Sequence, residues 1–390
     1  MRFLILNTDY SAFLESLYAA NPGLESRQYR DQMETRFQTL FGVADFYSRN
    51  LAAAGHEAET IFPNNARAQR AWALENGLAV SEQAPPSRAA AAMRAWFRRA
   101  PRPVVGLARR AAGRLLPLRA QFDTAILREQ IRRYRPDVLI NQAVDGIPSS
   151  FIREMRPFVR LMVGHLSAPM PNDRRFDAYD LMISSLPSYV AYFRSMGLAS
   201  ELHPYAFEPR VLDRLDSAQS SVPVSFVGSF SPIHQTRTAL LEYLAETVDL
   251  QVWGNPAEPI PRRSPLHGRY HGPAFGIDMY RVLRASAATV NFHIVEVSGP
   301  YAANMRLFEA TGSGTLLVTD WKENLHELFE PERDVVTFRS KEECREKIEH
   351  FLARKEERDA VAAAGQARTL RDHTYAVRMA QLADTLRKYL

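Results

Sequence analysis

Short runs of branched and aromatic residues alternate along this chain with stretches whose apolar positions recur three and four apart. These are the periods of buried strands and amphipathic helices. The strand runs are 2–7, 56–63, 136–143, 159–166 and 181–186 in the first half, and 222–230, 248–255, 288–294, 315–320 and 334–338 in the second. Residues 33–55 place Phe37, Leu40, Phe41, Ala44, Tyr47 and Leu51 at helical spacing and end at Gly55, which predicts one long helix. Further helices are expected over 124–134, 149–155, 188–197, 236–247, 276–287, 304–314, 322–329 and 340–370. The tail 375–390 forms one more amphipathic helix, and residues 199–207 are read only as a segment leading out of the first half.

Alternating strands and helices imply parallel sheets covered on both faces. The pattern runs through two cycles, with residues 208–221 as the linker. The expected organisation is an α/β chain of two Rossmann-like domains facing across a cleft, at 1–215 and 216–372, with 373–390 as a separate C-terminal helix. Such sheets bind ligands at the carboxyl ends of their strands, where helix N-termini and glycine turns leave N–H groups pointing inward.

Composition narrows the classes. The 390 residues include 46% hydrophobic side chains, enough for two full cores. A single cysteine, Cys344, excludes an intramolecular disulfide framework and a cysteine-built zinc site, and fits a reducing compartment. No stretch approaches a membrane span, and the N-terminal segment lacks a signal-type apolar region, so a cytoplasmic protein is expected. The net charge of +5 is unevenly spread: between Glu82 and Asp123 there are nine arginines and no acid, interleaved with apolar residues that include Trp96 and Phe97. This insertion, about 85–120, reads either as a solvated segment or as a peripheral contact with anionic lipid at the inner membrane face. No recognised nucleic-acid motif accompanies the charge, so nucleic acid is not expected as a partner.

The run NMRLFEATGSGTLLVTD, 304–320, sets Glu309 inside a buried helix-turn-strand pattern, with Asn304 and Arg306 one turn earlier. Together with LFEPERDVVTF and HTYAVRMAQL after it, and FLILNTDY and FGVADFYSRNLAAAGHEA near the start, this stretch resembles GT-B fold glycosyltransferases. The likeness is to family 1-type proteins similar to the spore maturation protein CgeB, and the GT-B architecture it implies has the C-terminal helix, 373–390, crossing back to the first domain. It implies transfer of a sugar from a nucleotide-sugar (UDP-, GDP- or dTDP-linked) to an acceptor hydroxyl on a glycan, a lipid-linked acceptor or a protein. It also implies no required cofactor and no metal, and the sequence has no HExxH run, convincing DxD loop or cysteine cluster. Two alternatives keep the fold: a nucleotide-sugar 2-epimerase, and a non-catalytic binding or coat-assembly protein.

The resemblance assigns Glu309 to the ribose diol, whose two hydroxyl protons suit a carboxylate's two oxygens. Gly312 and Gly314 would clear room beside it. Arg306 and Asn304 could face the diphosphate, where fixed positive charge stabilises the leaving group. Gly228, Ser229 and Arg237, at a strand exit and the following helix, are a second phosphate candidate, with backbone N–H groups supplying donors. His293 lies at another exit and could touch the donor sugar. Tyr301 stands where retaining members with two spaced glutamates carry the first, so that signature is incomplete. An inverting transfer needs a general base; Asp9, His165 and Asp145 each follow a first-half strand.

Overall fold

The computed structural model describes residues 1–79, 122–171, 173–216, 221–229, 235–254 and 260–390. The arginine-rich insertion at about 85–120 lies outside the described residues. Two parallel sheets are present. The first holds β1 (Arg2–Leu6), β2 (Glu57–Ile61), β3 (Val138–Asn141), β4 (Leu161–His165), β5 (Leu181–Ser184) and β6 (Ala199–Leu202), in the order β2-β1-β3-β4-β5-β6. The second holds β7 (Val222–Val227), β8 (Leu250–Trp253), β9 (Ser286–Asn291), β10 (Leu316–Asp320) and β11 (Val336–Phe338), in the order β11-β10-β9-β7-β8. β3, β4, β5, β9 and β10 are buried on both faces, as the uninterrupted apolar runs require.

Strand order reverses between β1 and β3 in one sheet and between β7 and β9 in the other. The chain leaves these strands at Asn7, Gln142, Gly228 and Phe292, and all four residues line one cleft. Topology therefore fixes the place of the site before any side chain is considered.

The helix expected over 33–55 is two helices, Tyr29–Gln38 and Phe46–Ala53. Between them Leu40, Gly42 and Ala44 adopt φ of 55°, 60° and 35°. The left-handed turns throw Phe41 out of the helical path, onto Phe13 at 4.3 Å and Phe275 of the second half at 5.1 Å between ring centroids. The carbonyl of Thr39 accepts from the Ile277 amide at 2.9 Å, and a Cβ on Gly276 would meet that oxygen at 2.0 Å, so only glycine permits the approach.

Helices Ser11–Ala20 and Ala66–Glu75 and strand β6 were not anticipated, and the helical run over 340–370 is divided at Arg354 into Lys341–Ala353 and Lys355–Asp372. The last helix, Tyr375–Arg387, crosses back and packs on Phe46–Ala53, with Tyr375 against Phe46 and Tyr47. Phe207 ties this return down: its amide donates to His373 O at 2.8 Å and its carbonyl accepts from the Tyr375 amide at 2.9 Å. No described helix is long and apolar enough to cross a membrane.

Candidate active site

The cleft between the two sheets encloses about 930 Å³. Its second-half wall is built on helix Arg306–Gly312, which runs into β10. Glu309 is 5% exposed, and burial pushes its carboxyl above the ordinary value while Arg306 opposes the shift. Its Oε2 lies 2.9 Å from Arg306 Nη1, off the line of a hydrogen bond. Arg306 Nη2 donates to Val227 O at 3.1 Å, which anchors the guanidinium at the mouth of β7.

Arg237 reaches the same wall, donating to Phe292 O at 2.8 Å and Ser229 O at 3.3 Å. Burial lowers its pKa to about 10; nearby Arg306 pushes the same way and Asp320 against it. Asn304 donates to Asn291 Oδ1 at 2.8 Å and keeps a buried Oδ1 with no hydrogen-bond partner among the described residues. Asn304, Arg306, Glu309, Gly228, Ser229 and Arg237 thus share one surface of the cleft.

Three expectations on this wall are corrected. Gly312 and Gly314 lie away from the cleft. A Cβ on Gly312 would meet the Phe207 ring at 2.3 Å, while Gly314 needs its φ of 74° and sits against Arg284 and Gln366. Their constraint is packing at the interface and turn geometry, not room for a ribose. The Gly228 amide is spent on Trp253 O at 3.0 Å, extending the β7–β8 ladder, so it offers no donor to a phosphate. His293 is 1% exposed and is not on the cleft wall. Its Nδ1 pairs with Asp320 Oδ1 at 2.6 Å, and its Nε2 has no hydrogen-bond partner among the described residues. Burial acts to raise Asp320, but its bonds with His293 and the nearby Lys322 outweigh that and leave it below the ordinary range.

The first-half wall carries the three acid–base candidates, in unequal states. Asp9 is buried, and both its oxygens are taken by Arg36, at 3.0 Å from Nε and 2.5 Å from Nη2. Burial pushes the Asp9 carboxyl up and the guanidinium opposes it. Arg36 is itself 1% exposed, lies 4.1 Å from the Phe62 ring centroid, and bonds the Phe41 carbonyl. The pair therefore braces the turn at 39–44 onto the end of β1.

His165 ends β4, and burial lowers its pKa to about 4, so the ring is neutral near neutrality. A chain of donors reaches it. The Thr8 amide bonds Asn7 Oδ1 at 2.7 Å, Asn7 Nδ2 bonds Gln142 Oε1 at 3.0 Å, and Gln142 Nε2 faces His165 Nδ1 at 3.5 Å. This order, with Tyr47 O–H also 3.5 Å from Nδ1, makes Nδ1 the acceptor and leaves the ring proton on Nε2, which is buried with no hydrogen-bond partner among the described residues. Behind it Tyr47 O–H lies 3.0 Å from His203 Nε2, and burial holds His203 well below its ordinary value. Asp145 differs from both. It is exposed in the cleft and has no hydrogen-bond or ion-pair partner among the described residues.

Sequence reasoning missed Arg36, Asn7, Gln142, Tyr47, His203 and Asn291. Asn7 and Gln142 stand at strand exits and Asn291 ends β9, the same signal that selected Asp9 and Asp145; His203 follows the unanticipated β6, and Arg36 and Tyr47 reach the site from helices through tertiary packing.

Residues 236–384 match the family model described as glycosyl transferase-like. No curated protein sequence matches the chain. Among solved structures, the chain is similar over 100% of its length to sucrose-phosphate synthase from Thermosynechococcus elongatus, with 98% of that chain covered, 12% identity and a TM-score of 0.56. It is equally similar to the Anabaena protein HepE in complex with UDP-glucose, at 13% identity, 100% coverage of both chains and a TM-score of 0.56. A glycosyltransferase from Rickettsia africae matches at 10% identity, a TM-score of 0.55, and coverage of 100% of this chain and 98% of that one. The architecture is therefore GT-B, two parallel-sheet α/β domains, and this fold together with the glycosyl transferase-like domain supports a glycosyltransferase.

Proposed function

We propose that the chain transfers a sugar from a nucleotide-sugar, bound on the second-half wall, to an acceptor hydroxyl lying against the first. The observation that carries this reading is the pairing of a buried carboxylate with two cations on one cleft wall. Glu309 offers an oxygen with no hydrogen bond among the described residues, one helical turn from Arg306 and in the same cleft as Arg237. Glu309 accepts the ribose hydroxyls, and the two guanidiniums receive the diphosphate. As the glycosidic bond breaks, negative charge grows on the leaving phosphate, and fixed cations there stabilise the transition state more than the ground state. These residues perform that task without a metal ion. Asn304 Oδ1 is the remaining acceptor for a donor hydroxyl.

On the acceptor side the reading assigns the proton to Asp145. Asp9 is committed to Arg36, and His165 has its proton on a buried nitrogen; Asp145 is the exposed, unpaired carboxylate. His165 then serves as a neutral wall whose tautomer is held by Gln142. The division near residue 215 makes each wall one domain, and the returning helix from 373 couples them, so that closing the cleft excludes water. A UDP-sugar is the first donor to test, since HepE is seen with UDP-glucose.

The experiment is incubation of the pure protein with UDP-, GDP- and dTDP-sugars and a set of glycan and lipid-linked acceptors. Acceptor-dependent release of nucleoside diphosphate is expected. Sugar isomerisation without release would instead indicate an epimerase, and absence of donor binding by calorimetry would overturn the reading.

A further inference from the structure

Behind the catalytic cleft lies a second cavity of about 340 Å³, where β5, the segment 202–205, residues 302–303 and the returning helix converge. Its notable group is Arg378, which is 7% exposed and stands in the first turn of helix Tyr375–Arg387. Its hydrogen bonds go to neutral atoms: Nη1 to Gln381 Oε1 at 2.9 Å and Nη2 to His373 Nδ1 at 2.7 Å. His373 is in the neutral form that can accept, because its Nε2–H donates to Leu328 O at 2.7 Å and burial lowers its pKa to about 4. A guanidinium has five N–H donors, so among the described residues three remain unspent, one on each Nη and the fully buried Nε–H.

Among the described residues no carboxylate forms an ion pair with Arg378. Two acids line the cavity with it, together with Arg368, and both are engaged elsewhere or exposed. Asp372 is held by Arg368 at 3.0 Å and Arg371 at 2.8 Å, while Glu327 is exposed. The helix adds to the imbalance, since its first turn has no acidic residue to answer the positive end of its dipole. A buried charge without a counterion is costly, and an incoming anion would offset that cost.

We propose that this rear cavity binds a phosphate group, either as the inorganic ion or as the phosphate of a small sugar ester. The guanidinium of Arg378 holds the charge, and Ser185, Tyr205 and Gln381 line the space beside it. Tyr205 also lines the catalytic cleft, and the cavity walls come from both halves and the returning helix. An occupant there contacts all three parts that must move when the cleft opens.

The test is calorimetric titration of the full chain with inorganic phosphate, and in a second arm with glucose 6-phosphate. The wild type is compared with Arg378→Gln, Ala303→Leu and Arg306→Gln. The expected result is a loss of roughly tenfold or more in affinity in Arg378→Gln, as for removal of one charge-assisted contact. Arg306→Gln removes a cation of the front cleft, so a binding event lost in it belongs to that cleft, and the event lost in Arg378→Gln should persist in it. Ala303→Leu fills the cavity without touching the guanidinium, and its loss of binding decides the matter should Arg378→Gln fail to fold. A sugar ester binding more tightly than phosphate identifies the ester as the ligand, and the reverse identifies the ion. No binding in either arm overturns the proposal, as does binding that survives Ala303→Leu or is lost only in Arg306→Gln. None of these readouts depends on glycosyl transfer.

Discussion

Replacing Glu309 by glutamine is the sharpest probe of the donor wall. The side chain keeps its volume in a site that is 5% exposed, but loses the charge that answers Arg306 at 2.9 Å. A hydrogen bond to a charged group contributes about 1.5–3 kcal/mol, and a ribose presents two hydroxyls. Glutamine retains one acceptor oxygen, so the net loss is about 2–3 kcal/mol, or roughly 30- to 150-fold in Kd. Calorimetry with UDP, GDP and dTDP against wild type and variant measures it. A second comparison isolates the diol: dTDP and 2′,3′-dideoxy nucleotides lack one or both hydroxyls. The wild type should discriminate against them, and Glu309→Gln should not. The pH dependence adds a sign. The Glu309 pKa is raised by burial, and ribose binding needs the carboxylate. Nucleotide affinity should therefore weaken as pH falls through that raised value, with a proton released on binding below it. Equal affinity of wild type and Glu309→Gln for nucleoside diphosphates, or a wild type indifferent to the diol, would refute the assignment.

Asp145→Asn should reduce turnover by about 10²–10⁴-fold while leaving nucleoside diphosphate affinity unchanged, measured by steady-state kinetics beside calorimetry. Arg36→Met leaves Asp9 buried without its partner and should cost about 3–5 kcal/mol in urea unfolding, much of it recovered in the double variant with Asp9→Leu. Gly312→Ala drives a methyl into the Phe207 ring and should destabilise by about 1–3 kcal/mol without touching nucleotide affinity in the folded fraction. His165 and His373 are held neutral, with folded values near 4 against an ordinary 6.5, so the unfolded chain binds protons first as pH falls. Stability should decline from about pH 6.5 toward 4, by about 3 kcal/mol for each histidine; a flat unfolding free energy across that window would contradict their burial.

The fold was legible where one physical signal governed each segment. β3, β4, β5, β9 and β10 are buried on both faces, so their unbroken apolar runs could be little else, and Thr124–Tyr134 and Ser149–Met155 match the expected spans. The helix over 33–55 failed for an instructive reason. Its apolar spacing is continuous because both halves pack on the same sheet, yet Phe41 is drawn across the interface to Phe275, and the backbone breaks to allow it. Local periodicity contains no record of a partner more than two hundred residues away. β6 was missed because Ser200 and Glu201 give an edge strand little apolar character.

The site was legible to the level of place but not of pairing. A polar residue just past a buried strand is a reasonable candidate wherever strand ends converge, and Asp9, Asp145 and His165 all stand on the cleft wall. Which of them is available for chemistry depends on their partners, which a strand-exit rule does not assign. Arg36 claims Asp9 from a helix 27 residues away, and Gln142 assigns the proton of His165 from the neighbouring strand. Burial therefore divides three similar-looking candidates into a brace, a fixed wall and an exposed carboxylate. The same logic sets the second-half wall apart. There Glu309 and Arg306 are three residues apart on one helix, so their pairing follows from helical geometry alone, and the sequence could show both the residues and the contact.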